Sequence, residues 1–189
     1  MRDLKFIHIT KTAGTSIEDI ANEAGIKWGR FDPTYGPWHQ LPIRKDKRIF
    51  TSADWFMVVR NPYSRIVSEF HCKWGGVGKD AVKYDRNSFN QYIQNAIKTR
   101  APRPRGDHYT PQHLYVNGVP GLNVLKFENL AIEFKDLMRK YNINLSLNKK
   151  NNSSANHKRF TVTDFGPNSI ALINEVYSKD FSEFNYRML

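Results

Sequence analysis

Three short strand candidates, residues 6–9, 55–59 and 123–127, are each followed by a stretch with helical spacing. Behind the first, Ile17, Ile20 and Ala21 recur at helical intervals over residues 15–24, and Gly25 is placed to stop the helix. Behind the second, Asn61-Pro62 supplies an N-cap and a proline at the first helical position, predicting a helix over residues 62–73, ahead of Gly75-Gly76. Behind the third, Leu130, Phe134, Leu137, Met138 and Tyr141 stripe one face of a helix over residues 130–141. Strands alternating with helices predict an α/β sandwich around a mainly parallel sheet. Two more helices are expected. One is led by a Ser88/Gln91 capping-box pattern and striped by Phe89, Tyr92, Ile93, Ala96 and Ile97. The other covers residues 167–179, with Ile170, Ile173, Val176 and Tyr177 on one face. Residues 29–48, punctuated by glycine and proline, read as a long loop, and loops of that length are often functional. No repeat or boundary interrupts the pattern, so residues 1–189 read as a single domain.

In an open α/β sheet, ligands bind beyond the carboxyl ends of the strands. Two such ends carry polar side chains here. The first is His8-Ile9-Thr10-Lys11-Thr12-Ala13-Gly14-Thr15-Ser16, a strand end, a small-residue turn and a helix start. Backbone N–H groups at that helix N-terminus suit a phosphate or sulfate; Lys11 adds a point charge, and Thr12, Thr15 and Ser16 add hydroxyls. An ordinary strand–turn–helix corner with a solvated lysine has the same outline. The second is Val59-Arg60-Asn61-Pro62-Tyr63-Ser64-Arg65-Ile66-Val67-Ser68. Arg60 can grip a phosphate bidentately, Ser68 adds a hydroxyl on the second helical turn, and Arg65 reads as a surface arginine. The net charge of +11 favours anionic partners, whether nucleic acid, acidic membrane or phosphorylated and sulfated small molecules. The nucleotide-kinase pattern G-x-x-x-x-G-K-S/T is absent, since Lys11 precedes Gly14 and no glycine lies upstream.

These two segments resemble the 5′-phosphosulfate loop and the 3′-phosphate element of sulfotransferases that use 3′-phosphoadenosine 5′-phosphosulfate (PAPS). They are most similar to those of the carbohydrate O-sulfotransferases, whose loop reads roughly H-I-P-K-T/S-G-G-T-S and whose second element reads R-D/N-P-Y/W-x-R-x-x-S. Further along, Tyr109-Thr110-Pro111-Gln112 resembles their Y-x-P-Q segment, Phe127-Glu128-Asn129-Leu130 their F-E-N-L segment, and Tyr177-Ser178-Lys179-Asp180-Phe181 with Phe184-Asn185-Tyr186 their terminal Y-x-x-D-F…F-x-Y. The matches keep the family's order from residue 6 to residue 186. Thr10 stands in place of the usual proline and Ala13 in place of a glycine, which is tolerable if that backbone has φ below zero.

The resemblance implies a three-layer sandwich like that of P-loop nucleotide kinases, PAPS as donor, and an acceptor hydroxyl on a sugar or glycan. It implies that Lys11, Thr12, Gly14, Thr15 and Ser16 hold the 5′-phosphosulfate, and that Arg60 and Ser68 hold the 3′-phosphate. Lys11 is then the residue to stabilise charge growing on the bridging oxygen. A base must take the acceptor proton. Of the six histidines, His39 lies in the long loop, where relatives often place a catalytic or acceptor-binding histidine; His108, beside Asp107, is its rival, and a carboxylate or another histidine stays open. Two basic regions, Arg100, Arg103 and Arg105, and Lys149, Lys150, His157, Lys158 and Arg159, either bind an anionic acceptor, close over the adenosine and 3′-phosphate, or are solvated charge runs. Lys158 and Arg159 are accordingly carried as candidate cofactor contacts. Metal-ligand spacings such as C-x-x-C or H-E-x-x-H are absent, so no metal is expected. The competing functions are a nucleotide-dependent kinase on a related fold and a basic nucleic-acid-binding module; the second lacks the usual signatures, so no nucleic-acid partner is expected. The single cysteine, Cys72, excludes an intrachain disulfide. With no apolar run long enough for a signal peptide or a membrane span, the expectation is a soluble, cytoplasmic protein.

Overall fold

The computed structural model describes residues 2–35, 38–101, 108–147 and 159–189. The described helices are α1 (Gly14–Glu23), α2 (Arg48–Ser52), α3 (Pro62–Phe70), α4 (Arg86–Arg100), α5 (Leu130–Lys140), α6 (Pro167–Val176) and α7 (Ser178–Glu183); the strands are β1 (Leu4–Ile7), β2 (Asp54–Val59) and β3 (Asn123–Lys126). The chain divides into two compact units, Met1–Arg60 with Leu114–Asn151, and Asn61–His113 with Asn152–Leu189.

The first unit is built on the sheet, ordered β1-β2-β3 with both pairings parallel, so this is a mixed α/β protein. The side-chain period of two sends Leu4, Phe6, Phe56, Val58 and Leu125 to one face, where Ile17 and Ala21 of α1 and Phe134, Leu137 and Met138 of α5 join them. Phe6, Phe56 and Phe134 are almost wholly buried. Each such burial is worth about 1.5–3 kcal/mol, so this packing, more than the short ladders, holds the sheet. β1 lies two residues earlier than the apolar run suggested. Pairing ends at Ile7 opposite Met57, which releases His8 and Ile9 into the turn. On the other face Trp55 meets the rings of Phe50 and Tyr35 at 5.0 and 5.5 Å. Burial pushes the Tyr35 phenol pKa up, and its hydroxyl donates to Gln40 O at 2.7 Å. The expected long loop is thus pinned, and it contains single 3-10 turns at Gly29–Phe31 and Pro42–Arg44 before α2.

The second unit is helical. Phe70, Phe89, Phe160 and Phe165 centre its core, with the Phe89 and Phe160 rings stacked at 4.5 Å. α4 begins before the expected start. Asp85 is the N-cap, accepting from Ser88 N at 2.7 Å while Ser88 Oγ accepts from Asp85 N, so Ser88 is the third helical residue and not the cap. α3 stops at Phe70, short of residue 73, and the last helix is broken at Tyr177 into α6 and α7. Arg65 is not a surface residue: it is 1% exposed, donates to Thr110 O at 2.9 Å and lies 3.8 Å from Glu69. No described helix is long and apolar enough to cross a membrane.

Two motif segments join inside this unit. The Asp180 carboxylate accepts the backbone N–H groups of Gln112 and His113, each at 2.8 Å, and the Tyr177 hydroxyl donates to Tyr109 O at 2.7 Å. The Y-x-P-Q-like and Y-x-x-D-F-like segments form one buried clasp.

Candidate active site

The chain leaves β1 through His8 and Ile9 and turns into α1 over Thr10-Lys11-Thr12-Ala13. Lys11 and Ala13 both sit in the left-handed region, at φ 62° and 69°. Ala13 therefore does not meet the condition of negative φ, and for a residue with a Cβ this conformation costs about 1–2 kcal/mol. The Thr12 hydroxyl donates to Ile9 O at 2.8 Å and is fully buried, so its proton braces the turn. Ala13 N-caps α1 with no side-chain hydrogen bond, and the helical ladder starts with Ile17 N donating to Ala13 O at 3.1 Å. The N–H groups of Gly14, Thr15 and Ser16 thus have no intrahelical acceptor, and the helix dipole adds positive potential there. Ser16 is buried and Thr15 exposed.

Arg60, at the carboxyl end of β2, reaches this turn. Its Nη1 donates to Lys11 O at 3.2 Å, and its guanidinium lies 4.2 Å from the centre of the Phe127 ring. Phe127 is the first residue of the F-E-N-L-like segment, so that motif supplies a platform for Arg60.

Behind the turn lies a buried cluster that the sequence did not announce. His8 is 5% exposed and Glu18 fully buried. Glu18 Oε1 lies 2.8 Å from His8 Nδ1 and accepts from Trp38 Nε1 at 2.9 Å and Arg30 N at 3.0 Å. Arg30 Nη1 stands 3.6 Å from Oε2, and a second N–H of its guanidinium pairs with Asp19. These contacts offset the cost of a buried carboxylate. A Cβ on Gly29, at φ 54°, would meet Oε1 at 1.9 Å, so glycine is required there. A Cβ on Gly14 would meet the His8 ring at 2.1 Å, which lays the imidazole against the first residue of α1.

His39 joins this cluster. Its Nδ1 lies 3.1 Å from His8 O, a group that can only accept, so Nδ1 carries a proton. Trp38 stacks on it at 4.1 Å, and the His8 ring meets it edge-on at 4.4 Å. Tyr115 holds the loop through a 3.0 Å hydrogen bond to His39 O.

Lys11, Thr12, Gly14, Thr15, Ser16, Arg60 and His39 therefore all belong to the first unit. The second unit holds Ser68, His108 and Arg159. Ser68 is buried on α3. His108 Nδ1 pairs with buried Glu69 at 2.6 Å. Arg159 donates to Val82 O at 2.8 Å. Glu69, Cys72 and His108 bring potential metal-ligating atoms within 4.8 Å of one another, although Glu69 also faces Arg65. Arg103, Arg105, Lys149, Lys150, His157 and Lys158 lie outside the described residues.

A family model described as the sulfotransferase family matches residues 3–187. No curated protein and no solved structure matches the chain.

Proposed function

As the chain belongs to the sulfotransferase family, we propose that it moves the sulfuryl group of PAPS to an acceptor hydroxyl, on a carbohydrate, by in-line displacement with a histidine base. The observation that carries this reading is the uncapped first turn of α1 directly after Lys11, with the Arg60 guanidinium anchored to the Lys11 carbonyl. The turn's N–H groups suit the 5′-phosphosulfate, and the planar guanidinium of Arg60 at the carboxyl end of β2 suits the 3′-phosphate. His39 Nε2 takes the acceptor proton as the acceptor oxygen bonds to sulfur. The bond from sulfur to the bridging oxygen breaks, and adenosine 3′,5′-bisphosphate leaves with Lys11 offsetting the charge on its 5′-phosphate. A single sulfotransferase domain with a P-loop-like three-layer sandwich is part of the proposal, supported by the extent of the family match and the parallel sheet. The test is a transfer screen with PAPS over glycans and small hydroxyl compounds, read by mass. A product heavier by one sulfuryl group supports the reading; hydrolysis-only or no consumption of PAPS across the acceptors counts against it.

A further inference from the structure

We propose that His8 is a direct ligand of the donor's 5′-phosphosulfate, its Nε2 donating to an oxygen of the anion seated on the first turn of α1. This rests on the PAPS reading above and adds a residue to it. His8 is 5% exposed, and its Nδ1 edge is engaged: Glu18 Oε1 lies at 2.8 Å and the Trp38 indole N–H at 2.8 Å. A carboxylate oxygen only accepts, so the proton between Nδ1 and Oε1 belongs to Nδ1, and the Trp38 N–H, which also reaches Oε1 at 2.9 Å, is given to the carboxylate and not to the ring. The opposite edge is different. Nε2 has no hydrogen-bond partner among the described residues, and a Cβ on Gly14 would lie 2.1 Å from it. An unpartnered nitrogen on a ring that is 5% exposed, lying against the residue that opens α1, forms one wall of an anion cradle.

An anion oxygen only accepts hydrogen bonds, so Nε2 carries a hydrogen when the anion is seated. With Nδ1 given to Glu18, the ring is then an imidazolium between two anionic partners. The charged and titratable groups around it are Glu18 on α1, Arg30 at Glu18, Lys11 in the same turn and His39, whose ring centre is 4.4 Å away. His8 thus differs from His39: one imidazole donates to the donor's anion while the other, neutral, accepts a proton.

The test uses the two amides that each copy one imidazole nitrogen. In His8→Asn the side-chain NH₂ falls near Nδ1 and retains the contact with Glu18 while Nε2 is lost. In His8→Gln it reaches the Nε2 position. Calorimetric titration compares adenosine 3′,5′-bisphosphate with adenosine 3′-monophosphate, which lacks the 5′ anion. His8→Asn should weaken the bisphosphate by about tenfold or more, the scale of one charge-assisted hydrogen bond. It should leave the monophosphate within about twofold, and His8→Gln should recover part of the loss. Unchanged binding of both ligands, or parallel loss of both, would overturn the assignment. In the unmodified protein, the bisphosphate should shift the His8 ring resonances and the monophosphate should not; this holds the test open if the Asn variant does not fold, and equal shifts would overturn the assignment. If the unmodified protein binds no bisphosphate, the PAPS reading fails and takes the His8 assignment with it.

Discussion

The guanidinium of Arg60 donates to the carbonyl oxygen of Lys11 at 3.2 Å. Two strand ends, β1 and β2, are thereby fastened side by side, and the cation of one steadies the turn of the other. Arg60→Ala should lower affinity for adenosine 3′,5′-bisphosphate by about tenfold or more, since it would remove the proposed 3′-phosphate ligand together with the brace on Lys11. Lys11→Ala should lower turnover by about a hundredfold with affinity changed far less, because the charge it meets grows in the transition state. Titration and steady-state rates check this division. Equal loss of affinity with unchanged turnover in both variants would contradict it.

The turn itself stores strain at Ala13, φ 69°. Ala13→Gly should be neutral or stabilising by up to about 1 kcal/mol, the relief of the left-handed Cβ being partly offset by greater freedom of the unfolded chain. Gly14→Ala runs the other way, because its Cβ would sit 2.1 Å from the His8 ring. That overpacking should cost about 1–3 kcal/mol. Denaturant midpoints of the two variants give both signs.

His39→Ala should reduce transfer by about a hundredfold or more with bisphosphate affinity retained, as expected for a positioned base. His108 is paired with the fully buried Glu69. His108→Ala should therefore lower the melting temperature while sparing turnover of the folded fraction. If the two outcomes are exchanged, the base is His108; if neither variant loses rate, it is another group.

Much of this was legible in the sequence, and most of what escaped shares one cause. The β–turn–α unit at Lys11, the proline-led start of α3 and the apolar stripes are local patterns, and local spacing reveals them. The roles of His8 and Arg65 depend on partners far along the chain. His8 meets Glu18 ten residues on and Trp38 thirty residues on. Arg65 is buried because Thr110 O, forty-five residues away, accepts from it. Nothing in the residue type signals such partners, so from the sequence His8 is one histidine among six, at a strand end, and Arg65 a surface arginine. The N-cap of α4 was missed for a smaller reason: Asp85-x-x-Ser88 and Ser88-x-x-Gln91 overlap, and only the structure shows which first residue caps the helix.

The clasp in the second unit makes a pH prediction. Burial raises the Tyr177 phenol pKa above its ordinary value. An acid whose folded pKa is raised holds its proton longer in the folded state, so its contribution is complete below about pH 10 and is lost as pH rises through the folded value. Stability should thus fall steeply above about pH 10, and less steeply in Tyr177→Phe. At neutral pH the same substitution leaves the Tyr109 carbonyl without this donor and should cost about 1–3 kcal/mol. Unfolding curves at neutral and alkaline pH measure both effects.

The first unit is proposed to hold a nucleotide carrying anions at both its 3′ and 5′ ends. Thermal unfolding with adenosine 3′,5′-bisphosphate or ATP at equal concentration tests it most directly. A ligand present at a hundred times its Kd adds about 2.7 kcal/mol to the folded state. For a chain of this size that raises the melting temperature by roughly 5–10 °C. The bisphosphate should give such a rise, and ATP, which lacks the 3′-phosphate, a much smaller one. Equal rises with the two nucleotides, or none with the bisphosphate, would contradict it.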